Sequence, residues 1–400
     1  MLKHFENARK IALEMMQPSK KDLEHGLELH YNSFVFDAYG FTPLGGGYAE
    51  QVEKLVSENA GRDEVKFAIE EFMMNSSFKN PEMRKALREA WDFSGVDCNF
   101  QNSGLEGNDI ENLIKRLSFY TYMTDSMPEI YERAIFPDQL EGIRERGHKA
   151  LFMTTNGVPL SAKYVSTDEA LNQISVFFKL GVRMMHLTYN RRNLIGDGCA
   201  EKSNAGLSDF GRQVVAAMNR AGVIPDVAHS GQRTSLEAAL CSEKPVVASH
   251  SAAGKLSTHY RAKCDEVIEA IKKTNGFIGI CGHPWFLQGK MNINAMIDHI
   301  DYVAKTYGVD HVAIGTDNTP MLAALELKNI AYPQYRPIWE QYWQHPDDVN
   351  GTMTSEQYVS SSWVNWPLFT VGLVQRGYSD KDIRKIIGGN VLRVCRETLQ

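Results

Sequence analysis

Short, nearly continuous apolar runs alternate along this chain with longer stretches whose apolar residues recur at helical spacing. Eight runs stand out: "FVFDAYGF" (34–41), "GVDCNFQ" (95–101), "KALFMTTNG" (149–157), "GVRMMHLTYN" (181–190), "GVIPDVAHS" (222–230), "PVVASHS" (245–251), "GFIGICGHP" (276–284) and "HVAIGTDNTP" (311–320). Strands without polar alternation suit a parallel sheet buried on both faces. The intervening stretches read as helices; "LSDFGRQVVAAMNRAG" keeps one apolar face and offers Ser208 as N-cap. Eight β/α units in series predict a (β/α)8 TIM barrel over residues 1–400 as a single domain. A doubly wound sheet is disfavoured, since no GxGxxG follows the first strand. Residues 1–33 are expected to form a helical lead-in, 321–362 an aromatic-rich insertion after strand eight, and 371–399 a closing helix.

Composition narrows the setting. Hydrophobic residues make up 43% and charged residues 23%, the balance of a globular protein. The net charge of −6 leaves no basic footprint for nucleic acid. No apolar run approaches the roughly 20 residues of a membrane span. The first residues, "MLKHFENARK", are charged throughout and lack the apolar core of an export signal. With that N-terminus, six cysteines without paired spacing read as reduced thiols, and a cytoplasmic location is expected.

Barrel active sites gather where the strands end, because the loops that follow share one mouth. His229 ends strand five, His250 ends strand six and Asp317 ends strand eight, so the three should converge. Two imidazoles and a carboxylate suit zinc or a similar divalent ion. His283, in "CGHPWF", either faces the mouth or marks a Pro-containing turn. The remaining histidines, such as His299 and His311, read as ordinary core or surface residues.

Five segments carry a family resemblance: "GLSDFGRQVVAAMNRAGVIPDVAHSG", "PVVASHSAA", "HYRAKCDEVIEAI", "DHIDYVAKTYGVDHVAIGTD" and "GYSDKDIRKIIGGNVLRV". They resemble the membrane (renal-type) dipeptidases, the M19 peptidases, from about residue 181 to the C-terminus and more thinly before it. The resemblance implies an amidohydrolase-like (β/α)8 barrel, usually a homodimer, that cleaves dipeptides, and in some members β-lactams, with two zinc ions. By the same resemblance His229 and His250 match the histidines of the second zinc. Asp317 matches the aspartate that binds the first zinc and manages the proton of the attacking hydroxide. Arg261 matches the arginine that grips the substrate carboxylate.

The first half departs from that pattern. The family's Asp-x-His-x-Asp run on strand one reads "DAYGF" here: Asp37 remains, but Tyr39 and Phe41 stand at the two ligand positions. The bridging glutamate of strand three falls at Thr155 or Asn156, and the substrate-facing histidine of "LTHN" is Tyr189. A phenol with pKa near 10 is a poor anionic ligand at neutral pH, and phenylalanine donates nothing. The expectation is therefore at most one ion, Zn2+ or similar, or none.

Three readings follow. The first is a one-metal hydrolase acting on a small amide that bears a carboxylate, with Asp317 as general base and Asn156, Thr155 or His283 supplementing the ligands. In the second, the barrel serves lyase or isomerase chemistry, with Tyr39, Tyr189, Asp317 and the histidines as acids and bases. The third is a non-catalytic binding relative.

Overall fold

Eight parallel strands form the centre of the molecule in the computed structural model, which describes residues 2–45, 49–104, 107–160, 166–319 and 353–399. They are β1 (Phe36–Gly40), β2 (Cys98–Asn102), β3 (Lys149–Thr155), β4 (Val182–His186), β5 (Ile224–Asp226), β6 (Ala248–Ala253), β7 (Ile278–Ile280) and β8 (Val312–Ile314). Strands β1 to β5 pair in sequence order, and β6 pairs with β7 and β7 with β8. A parallel bridge from Asp226 to Val247 joins the two arcs. At the other seam the Asp317 amide donates to the Tyr39 carbonyl at 2.9 Å and the Thr316 amide to Asp37 Oδ1 at 2.9 Å. The ring is the expected α/β barrel. Two short strands branch from it: Tyr131–Arg133 against β3, and Ala262–Lys263 against β6.

Phe36, Phe100 and Phe152 stack within the ring, their centroids 5.2 to 5.8 Å apart. Outside it, helices bury one face each; Asp209–Ala221 turns Val214, Val215 and Met218 inward. The β6 backbone passes so close to its neighbours that a Cβ on Gly279 or Gly315 would stand 1.8 or 1.9 Å from the Ser249 carbonyl oxygen. Only glycine fits at either position.

Helices Leu2–Met16 and Lys20–Tyr31 precede β1, the second capped by Ser19. Side-chain amides of Asn294 and Asn365 donate to the carbonyls of Met15 and Ala8, which ties the first of these helices to the C-terminal third. The segment expected as one closing helix is broken instead into Trp366–Gln375, Asp380–Arg384, a wide turn at Lys385–Gly389, and Asn390–Thr398. Gly377, at φ 79°, ends the first piece, and the Ser379 hydroxyl caps the next. Most of the expected 321–362 insertion lies outside the described residues; within it, Ser355–Ser360 is a helix capped by Thr354.

Candidate metal centre

His229 and His250 meet at the C-terminal ends of β5 and β6, their Nε2 atoms 2.9 Å apart and both rings buried. His229 Nδ1 lies 2.7 Å from Asn190 Oδ1, and His250 Nδ1 lies 2.8 Å from Ser249 Oγ. With Asn190 Oδ1 and Ser249 Oγ accepting the Nδ1 protons, the tautomer these partners favour, the two Nε2 lone pairs converge, and the Arg261 Nη1 donor stands 2.8 Å from that of His229. Burial first, and then the Arg261 guanidinium, holds both imidazoles well below the ordinary histidine range. Two neutral imidazoles aimed nitrogen to nitrogen repel unless something positive lies between them.

A third histidine completes the group. His186, the last residue of β4, offers a nitrogen within 4.8 Å of those of His229 and His250. Its Nε2 stands 2.8 Å from Asp226 Oδ2, both side chains fully buried, but the contact lacks hydrogen-bond alignment, and neither ring nitrogen has a hydrogen-bond partner. Asp226 is the residue paired with His186 across β4 and β5. Burial alone would raise the Asp226 carboxyl, but His186 and hydrogen bonds from the Ser249 and Ala228 amides bring it below its usual range. A carboxylate behind one imidazole, ring nitrogens buried without hydrogen-bond partners and two converging Nε2 atoms fit a divalent cation such as zinc. His186 was read in the sequence as an ordinary histidine. The available signal was its place as the terminal residue of "VRMMH", the same strand-end position that singled out His229 and His250.

The other candidates surround this triad. Asp317 reaches its edge rather than its centre: its Oδ2 lies 4.0 Å from His250 Nε2 and 3.2 Å from His283 Nε2. The triad's third member is thus His186, not Asp317. Asp317 adopts φ 54°, a left-handed turn that aspartate tolerates better than most residues, while its amide bonds β1. His283 precedes the short helix Pro284–Leu287 and stands beside Asp317. Tyr39 stacks on His250 at 3.9 Å between centroids, and Tyr189 stacks on His229 at 4.1 Å. The Tyr39 hydroxyl donates to Asn156 Oδ1 at 2.5 Å, so Asn156 holds the tyrosine at the triad. Phe41 is half-buried against the Tyr39 ring at 6.1 Å.

Arg261 is fully buried. Its Nη2 donates to the His250 carbonyl at 2.8 Å, its Nη1 lies 2.6 and 2.8 Å from the two His229 nitrogens, and its Nε has no partner. The guanidinium also faces the Phe286 ring at 5.3 Å. No carboxylate pairs with it among the described residues. Beneath it Lys263, lowered by burial to about 8, donates to the Ser230 carbonyl and the Ser235 hydroxyl.

The family model described as membrane dipeptidase (peptidase family M19) matches residues 63–333, more than half of the chain. The chain belongs to the M19 family. Among curated relatives, dipeptidase tcpJ of Claviceps purpurea is 30% identical over 229 residues, covering 56% of this chain and 46% of that protein. Dipeptidase verJ of Clonostachys rogersoniana is 30% identical over 222 residues, 54% of this chain and 48% of that one. The chain thus spans about half the length of the curated relatives it matches. The M19 barrel also superposes on an amidohydrolase from Pseudomonas aeruginosa at 24% identity and TM-score 0.65, covering 93% of this chain and 98% of the other. A metallopeptidase from Rhodobacter sphaeroides, bound to a phosphinate mimic of L-Ala-D-Ala, superposes at 16% identity and TM-score 0.63, over 92% and 100%. These structural likenesses establish the fold.

Proposed function

We propose that this M19 chain is a metal-dependent hydrolase that cleaves a small, peptide-like amide bearing a free carboxylate, using one zinc ion held by His186, His229 and His250. The observation that carries the reading is the buried meeting of three imidazoles, two with opposed lone pairs and the third backed by Asp226. Membership in a family of dipeptidases, and two relatives named as such, support the substrate class.

A divalent ion there would lower the pKa of its bound water towards 7 and polarise the scissile carbonyl. The protein's own groups do the rest. Asp317, beside His250 and His283, accepts the proton of the attacking water as the C–O bond forms. It returns that proton to the leaving nitrogen as the C–N bond breaks, which balances the reaction. Arg261, buried without a carboxylate partner, supplies the charge that a substrate carboxylate would meet with a planar two-bond clamp. Tyr39 and Tyr189 clamp the outer faces of His250 and His229 and exclude water from them. The ring of Tyr39 fills the space beside His250, which favours a metal centre shifted from strand one towards β4.

Elemental analysis of protein purified without added metal tests the reading. His186→Ala, and separately the double change His229→Ala with His250→Ala, should each remove the triad's ion while the barrel still unfolds cooperatively. Undiminished metal content in the double variant would exclude the triad as the site.

A further inference from the structure

Beside the triad, the ends of β7 and β8 bring together three more donors of a different kind. Cys281, His283 and Asp317 each offer a ligand atom, and all of these atoms lie within 4.8 Å of one another. The three come from adjacent strand ends: the Cys281 amide donates to the Ser251 carbonyl at 2.8 Å, continuing the β6–β7 pairing, and the Gly282 amide donates to the Thr316 carbonyl at 2.9 Å. His283 Nδ1 is buried without a partner, and its Nε2 is 3.2 Å from Asp317 Oδ2. The His283 ring is held by Trp285, stacked at 4.5 Å between centroids, and Trp285 in turn by Tyr358 at 6.1 Å.

We infer that Cys281, His283 and Asp317 form a second metal site, selective for zinc or a similarly thiophilic divalent ion. Charge is the first argument. The triad offers only imidazole nitrogens beside the Arg261 and Lys263 cations. In the second group burial and then Asp317 hold the Cys281 thiol protonated until an ion displaces its proton; the thiolate so formed and the Asp317 carboxylate are two negative charges that together neutralise a dication. Ligand type is the second argument: sulfur with imidazole and carboxylate selects zinc-like ions over magnesium or calcium. Access is the third. Cys281 is fully buried, but the His283 and Asp317 side chains keep 17% and 19% of their exposure, so an ion has a path in and a coordination position facing the mouth. Asp317 stands between the two sites, 4.0 Å from His250. This site stands on its own residues whether or not the triad holds an ion, and it adds a second ion to the one proposed for the triad.

Cobalt(II) reads the two sites apart, because only the second contains sulfur. The full chain, stripped by chelator, is titrated with cobalt(II) and its absorption followed. A near-ultraviolet sulfur-to-cobalt band should grow in, with two ions bound per chain at saturation. Cys281→Ser should abolish that band, and His283→Ala, at a partly exposed position that folding tolerates, should weaken or shift it. Cys199→Ser should leave the band intact; this control matters because Cys199 Sγ lies 3.1 Å from Asn190, the partner of His229. His186→Ala should reduce cobalt by one ion and keep the band, whereas unchanged cobalt in that variant would count against the triad alone. Absence of the band from wild-type protein with cobalt bound, its persistence in Cys281→Ser, or its loss in Cys199→Ser overturns the inference.

Discussion

His186 and Asp226 show how one side chain sets another's chemistry. A carboxylate 2.8 Å from Nε2 places a negative charge behind the ring, which favours a proton or a cation on the imidazole that meets His229 and His250. Asp226→Asn keeps the shape and removes the charge. Losing such an outer partner weakens metal affinity by about 10- to 100-fold, measurable by competition with a chromophoric chelator. Because the Asp226 carboxyl is depressed in the folded state, its contribution to stability is present above the ordinary aspartate range and disappears as pH falls through the lower folded value. Chemical denaturation of the metal-free protein should therefore show a steeper acid-side loss of stability in wild type than in Asp226→Asn. Equal slopes would mean that Asp226 is not held ionised by His186. His229 and His250 were legible in the sequence because a strand-end histidine beside small residues is conspicuous. His186 was not, since an apolar run ending in histidine is equally what a core position looks like. Only the β4–β5 register, which sets Asp226 opposite it, separates the two meanings.

At the scale of elements, the barrel's weak point is the β1–β8 seam, and Asp37 holds it. Its Oδ1 accepts from the Tyr39 and Thr316 amides, and its Oδ2 accepts from the Thr316 hydroxyl and from the indole N–H groups of Trp363 and Trp366. One carboxyl thus joins first strand, last strand and C-terminal helices. Burial pushes its pKa up to about 7. Between pH 4 and 7 the folded chain keeps a proton that the unfolded chain has released, so this group lowers stability as pH rises across that window. Asp37→Ala should flatten that slope. It should also cost on the order of 3 kcal/mol at pH 5, because buried donors left unpaired cost about 1–3 kcal/mol each; urea denaturation at pH 5 and 7 measures both. An unchanged slope would assign the pH dependence to another group. All eight strands were legible as apolar runs, since a strand buried on both faces cannot hide its composition. The single closing helix was misjudged because its apolar periodicity continues across Gly377, whose left-handed turn ends one helix before Ser379 starts the next. Asp37 was noticed only as a remnant of a ligand motif; its tryptophan partners lie more than 300 positions away, where no local pattern reaches.

For the whole molecule, charge distribution separates the barrel mouth from the surface. The chain carries a net −6, yet two buried cations, Arg261 and Lys263, lie below the triad with no carboxylate paired to Arg261 among the described residues. An isolated buried guanidinium is costly, so an anion that reaches it gains what the folded protein has forgone. Dipeptide-like substrates with a free C-terminal carboxylate should therefore exceed their C-terminal amides in kcat/KM. Arg261→Lys should reduce that preference by about 10- to 100-fold, since a charge-assisted hydrogen bond contributes about 1.5–3 kcal/mol and an ammonium cannot reproduce a planar fork. The preference should change little between low and moderate salt, because screening acts weakly on a buried pair. Arg261 also touches His229 and the His250 carbonyl, so metal content is measured on the same preparations. If metal content holds while the carboxylate preference falls, the guanidinium acts on substrate. If acid and amide substrates lose activity equally, its charge serves the histidines alone, and some other group recognises the substrate's end.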